Sequence, residues 1–397
     1  MPARRFLSLR RTPLYALAAL SVGSVGLRRP PASAAARASV SASSVNARAM
    51  HVGPVTLRSA GVMSFTPDGT LLLADPMAAA VYAIDVAETF RDTSTTGVRI
   101  DDADGKIAAA LGTTRDQIRV VDMVAHPLSQ TLYFSLTRGR GTSAVPLVVS
   151  VTKADEKVTI LPLENIRHAR ADLPDAPTPE AKTSWGALQR TISITHLAMA
   201  DGQLYVAGLS NEEFASTFRR IPYPFDRAPI APSTTVEIFH TSHNRYETAA
   251  PIEAFVPITL AGTPSVLAGY GCSPIAVFSR ADLASQRHLR GKTVSELGGG
   301  NRPIDMVSYR APDHNEYVLI ANSDRTLTRF SLADLAAAPA MTKAVGHAYE
   351  QGGVKYLAIA SFGVVQLDNY NPANVVVLQR VADTGELQVR SIPTRFL

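Results

Sequence analysis

The feature that most constrains this chain is a recurring set of three short, alternating segments joined by turn formers. It is clearest from Asn301 to Leu332, NRPIDMVSYRAPDHNEYVLIANSDRTLTRFSL. Three strands are expected there, from Ile304 to Tyr309, from Glu316 to Ala321 and from Thr326 to Leu332. The turns between them are Ala-Pro-Asp-His-Asn and Asn-Ser-Asp.

The same order of parts starts at Gly61 with GVMSFTPDGTLLLADPMAAAVYAIDV, at Asp122 with DMVAHPLSQTLYFSL, at Thr195 with THLAMADGQLYVAGL, at Glu253 with EAFVPITLAGTPSVLAGYG, and at Gly363 with GVVQLDNYNPANVVVLQRV. One small antiparallel sheet cannot bury both of its faces, whereas a ring of them buries every face except the ends. Six such copies therefore predict an all-β fold, a six-bladed β-propeller. Seven blades is the next alternative, because the stretch from Val345 to Ser361 has room for a degenerate unit. The segment from Val52 to Arg58 alternates but has no hairpin partner, so it is expected to complete the last blade and close the ring. The Pro-punctuated stretch from Glu164 to Ser184 reads as loop.

Composition is that of an ordinary globular protein: 397 residues, 46% hydrophobic and 18% charged. The net charge of +5 is misleading, because Arg4, Arg5, Arg10, Arg11, Arg28 and Arg29 lie in the first 34 residues, which hold no acid. Without these six the 39 basic residues become 33 against 34 acidic ones, a net charge of −1. A nucleic-acid footprint is not supported. Residues 1–34, with an apolar run from Leu14 to Leu27 and the small residues Ala32-Ser33-Ala34, read as a signal peptide, and the run is too short for a membrane span. Export to the periplasm or secretion is the expectation, with organellar import as runner-up. Residues 35–51 read as a flexible arm and residues 52–397 as a single monomeric domain. Cys272 is the one cysteine, so no intramolecular disulfide can form.

The pattern FTPDGTLLLADPMAAAVYAIDV resembles the repeats of YVTN-type, NHL-type and gluconolactonase-like propellers, and the resemblance runs from about Gly61 to the end. The gluconolactonase-like enzymes imply a metal site that includes a Glu at the start of the first blade. Here that place holds Ser59-Ala60-Gly61, with no acid.

Aligning the copies on their innermost strands puts Asp122, His196, Glu253 and Asp305 at equivalent places around one channel mouth. Asp122, Glu253 and Asp305 are candidate ligands for a divalent cation such as calcium. His196, or His243 in the loop from Thr241 to Thr248, is the candidate general base. The alternative is that each carboxylate accepts backbone N–H bonds and holds a blade junction together. Asn211, Glu212, Asn322 and Arg302 are expected on the same face as ligand contacts. Two functions follow. One is an exported binding scaffold for a small polar ligand or a periplasmic partner protein; the other is a metal-dependent hydrolase of the lactonase or esterase kind. A subunit of a periplasmic redox system is a third reading, which rests on the compartment alone.

Overall fold

The computed structural model describes residues 50–225, 230, 232–347 and 349–397. The expected leader and most of the arm lie outside these residues. Six small antiparallel sheets form a ring, a six-bladed propeller. The innermost strands, in chain order, are Met63–Phe65, Ile118–Ala125, His196–Ala200, Ile252–Leu260, Pro303–Arg310 and Val364–Asn371. They define blades 1 to 6.

Both faces of each blade are buried, so the middle strands read as continuous apolar runs and not as alternation. Thr70–Asp75 in blade 1 shows this: Leu72 and Ala74 pack with Leu204 and Val206 of blade 3, while Leu71 and Leu73 pack with Tyr133 and Val148 of blade 2. Four further apolar clusters fill the junctions of blades 3 and 4, 4 and 5, 5 and 6, and 6 and 2. The order around the ring is therefore 1, 3, 4, 5, 6, 2, which is not the order of the chain.

This permutation follows from two strands that leave their neighbours in sequence. Arg99–Ile100 pairs with Leu387–Pro393 and is the outer strand of blade 6. Ile166–Asp172 pairs with Ala80–Asp85 and becomes the fourth strand of blade 1. Two expectations are corrected here. Ring closure is made by Arg99–Ile100, whereas the segment expected to do it, Val52 to Arg58, contributes only Val52 and Gly53, the end of the edge strand His51–Gly53 outside Ile166–Asp172 in blade 1. The stretch from Glu164 to Ser184 is also not all loop, since it supplies that fourth strand. It further supplies Asp175, which accepts a 2.6 Å bond from the fully buried Arg219.

The stretch considered for a seventh blade instead gives outer strands to two others. Gly352–Gly353 pairs in blade 4 and Leu357–Ile359 in blade 5. Between blades 1 and 6, residues 86–98 form a strap across the end of blade 2. Gln130 of blade 2 donates to the carbonyls of Asp92 (3.1 Å) and Ser94 (2.8 Å). Asn371 and Asn374 of blade 6 hold the carbonyls of Thr96 (3.0 Å) and Thr95 (2.8 Å).

Candidate functional site

The central channel contains a cavity of about 330 Å³ lined by residues of all six innermost strands, among them Asp122, His196, Asp305 and Asp368. Asp122 and Asp305 each follow a β-bulge, between Val120 and Asp122 and between Pro303 and Asp305. A bulge inserts one residue and re-aims the side chains after it.

All three carboxylates make the same pair of bonds. Each accepts the N–H of the residue that follows it and an N–H from the innermost strand of the adjoining blade. Asp305 takes Met306 N–H at 2.8 Å and Leu367 N–H of blade 6 at 2.8 Å. Asp368 takes Asn369 N–H at 2.7 Å and Ala125 N–H of blade 2 at 2.9 Å. Asp122 takes Met123 N–H at 2.7 Å and Met63 N–H of blade 1 at 2.6 Å. Three successive junctions are fastened this way, which is the structural alternative weighed for these acids in the sequence. It fixes their orientation and leaves further lone pairs on each oxygen free.

Burial pushes the Asp122 carboxyl up to about 7, with the nearby Asp305 adding to the shift; the N–H groups of Met63 and Met123 and the His196 imidazole oppose it. Asp368 is likewise pushed up to about 7, chiefly by burial, against the N–H bonds from Ala125 and Asn369. His196 reaches across the channel to Asp305, with Nε2 3.3 Å from Oδ1, and packs edge-on against Phe255. Its Nδ1 is buried and makes no hydrogen bond to the described residues.

Glu253 does not share this cavity. In blade 4 it occupies the bulge itself, between Ile252 and Ala254. Its carboxylate lies 3.7 Å from Arg302 in a neighbouring cleft. Burial raises its pKa and Arg302 opposes the shift. That cleft, of about 780 Å³, is lined by Trp185, His240, His243, Glu247, Cys272 and Arg302 as well as Glu253. Two of the residues expected as ligand contacts, Asn211 and Glu212, are exposed on a loop of blade 3. Asn322 is buried and braces its own turn, donating to the carbonyls of Ile320 (3.1 Å) and Thr326 (3.0 Å) and accepting from Asn301 (2.9 Å). The structure thus brings together Asp122, His196 and Asp305 in one place, and Glu253, His243 and Arg302 in another.

Asp368 escaped the sequence alignment because blade 6 carries two irregularities in one strand, after Val364 and after Asn369. Gln366, not Asp368, follows the first bulge, and it donates to the Val121 carbonyl at 2.9 Å. The signal available was the acid in VVQLDNYN, two places beyond Gln366 and five beyond Gly363, where the sixth copy begins.

No protein-family model and no curated protein sequence matches the chain. Among solved structures it is similar to a chain of the Mitotic Checkpoint Complex, with 9% identity and a TM-score of 0.36, covering 95% of this chain and 99% of that one. It is also similar to the PQQ-bound aldose sugar dehydrogenase of Streptomyces coelicolor, with 10% identity, a TM-score of 0.32, and 86% and 96% covered. A third is an alpha-l-arabinofuranosidase from Fusarium graminearum in complex with an iminosugar inhibitor, with 10% identity, a TM-score of 0.34, and 87% and 97% covered. Among the described residues no helix is long and apolar enough to cross a membrane.

Proposed function

We propose that the protein is an exported binding propeller whose channel mouth receives a small polar ligand carrying a positive charge or several hydrogen-bond donors. A basic loop of a periplasmic partner protein presents the same chemistry. The observation that carries this reading is the convergence of Asp122, Asp305, Asp368 and His196 on one cavity, with each carboxylate held by two backbone N–H bonds. Such pre-oriented acceptors favour donors and cations and disfavour anions. Export rests on the leader in the sequence.

The alternative is a lactonase- or esterase-like hydrolase with a divalent cation such as calcium held by Asp122, Glu253 and Asp305, and His196 or His243 as base. The pairing of Glu253 with Arg302 outside the channel favours the binding reading. Calorimetric titration of the mature protein with small ammonium, guanidinium, polyol and carboxylate compounds at pH 6 and pH 8 tests it. Cationic compounds are expected to bind, more tightly at pH 8, where Asp122 and Asp368 are ionised. Preference for carboxylates, or affinity unmoved by Asp122→Asn, would overturn it.

A further inference from the structure

The cleft beside the channel holds a second set of donors with a different chemistry. The strand Thr234–His240 turns back through Asn244, which is left-handed (φ 52°), into Arg245–Glu247, so that His240 lies opposite Arg245. This hairpin brings His240, His243 and Glu247 to one point. The Nδ1 atoms of the two imidazoles lie 2.7 Å from different oxygens of the one Glu247 carboxylate. The imidazole ring centroids are 3.9 Å apart, and one donor atom from each of the three residues falls within 4.8 Å of the others. His240 is only 2% exposed, and its Nε2 has no hydrogen-bond partner among the described residues. Glu296, fully buried, is held close to this group by Thr241 Oγ1 at 2.7 Å and by Gly298 N–H at 3.2 Å.

We propose that His240, His243 and Glu247 form a transition-metal site of the zinc class, with three protein ligands and a fourth position left to water or a small ligand from the cleft. Two imidazoles and one carboxylate form a donor set that suits zinc. Calcium, which takes six to eight oxygens, is poorly served by it. In a tetrahedral site with metal–ligand distances near 2.0–2.1 Å, donor atoms sit roughly 3.3 Å apart. With Oε2 as the carboxylate ligand, the present 2.7 Å contact to His240 Nδ1 reaches that spacing when the side chains open by about 0.6 Å. An imidazole that binds the metal through Nδ1 is neutral there, so a proton on that nitrogen moves to Nε2 or is released to water. Arg245 also donates to Glu247 Oε1 at 3.2 Å, but its side chain is 70% exposed and can turn to solvent. Oε2, the oxygen shared with His240, is free of it.

The test uses the full mature chain, stripped with a chelator, dialysed, and titrated with zinc by calorimetry. One equivalent is expected to bind. His243 is exposed (43%), so His243→Ala should remain folded. This variant and Glu247→Gln should each weaken zinc at least tenfold, since loss of an outer-shell partner alone costs about 10- to 100-fold. Cys272→Ser and Asp122→Asn should leave affinity unchanged. Cobalt substitution should give the visible bands of a four-coordinate site without thiolate charge transfer. Absence of saturable zinc binding in the stripped protein would overturn the proposal. So would binding that survives His243→Ala, or binding lost in Asp122→Asn, which would put the ion in the channel.

Discussion

Asp305 bridges two directions at once: its Oδ2 holds the Leu367 N–H of the adjoining blade at 2.8 Å, while its Oδ1 lies 3.3 Å from His196 Nε2, two blades away around the ring. One side chain thus serves both a blade junction and the channel. Asp305→Ala leaves the buried N–H groups of Met306 and Leu367 without an acceptor, at about 1–3 kcal/mol each. Urea unfolding should show a loss of about 2–6 kcal/mol. Asp305→Asn, which keeps one acceptor oxygen, should lose about half as much. Equal stability of the alanine variant and the parent would mean that the junction does not depend on this residue.

Stability should fall as pH rises through the acid side of neutrality. Asp122 and Asp368 ionise at about 7 in the fold, against 3.8 as the ordinary value. Between those values the folded protein keeps protons that the unfolded chain has released. The contribution of these groups is therefore largest below the ordinary value, declines up to about pH 7, and is level above it. Each group adds a slope of up to about 1.4 kcal/mol per pH unit. Urea curves at half-unit intervals from pH 5 to 8 measure this, and Asp368→Asn should remove one group's share. A parent and variant with the same slope would contradict the assignment.

Ile100 is 1% exposed and packs in the cluster shared by blades 6 and 2, in the two-residue strand that closes the ring. Ile100→Ala should cost about 2–4 kcal/mol, in the usual range for a buried Ile→Ala change. Hydrogen exchange should show the loss first at Val389 and Arg390, the partners of this strand. Shortening the edge segment His51–Gly53, which pairs only with Ile166–Asp172, should leave that exchange unchanged.

Much of the ring was legible in the sequence, and what stayed hidden shares one physical cause. Hairpins such as Thr70–Asp75 with Ala80–Asp85 announce themselves through local turn chemistry, because partners lie close along the chain. Outer strands do not. Arg99–Ile100 is two residues long and finds its partner only at Arg390 and Val389, so nothing local specifies the pairing. Ile166–Asp172, IRHARAD, has one large apolar side chain, buries a histidine and two small alanines beside it, and carries two arginines, which hid its strand character behind the prolines that follow. One local signal was present and unread: Phe-Ser-x-Ala-Asp-Leu-Ala occurs at 278–284 and again at 330–336. Both copies close a third strand with a serine-capped helix, Arg280–Ser285 and Leu332–Ala337, and both bury their phenylalanine and leucine.

For the candidate sites, His243 could be picked out in sequence because the loop from Thr241 to Thr248 that carries it belongs to a single hairpin. The channel acids were harder to place, because bulges shift the register by one residue. That shift sends Glu253 to Arg302 while Asp305 stays in the channel.

The strap over blade 2 sets a timetable for synthesis. Val98 binds Ser391, 293 positions later, and Ala80–Asp85 waits for Ile166–Asp172 before blade 1 has its fourth strand. A nascent chain emerging from the ribosome or a translocation pore therefore carries two unpaired strand edges from early on. The later of them, Arg99–Ile100, is satisfied only when the last sheet is complete. Until then the molecule is an open arc, and the C-terminal strands turn it into a ring.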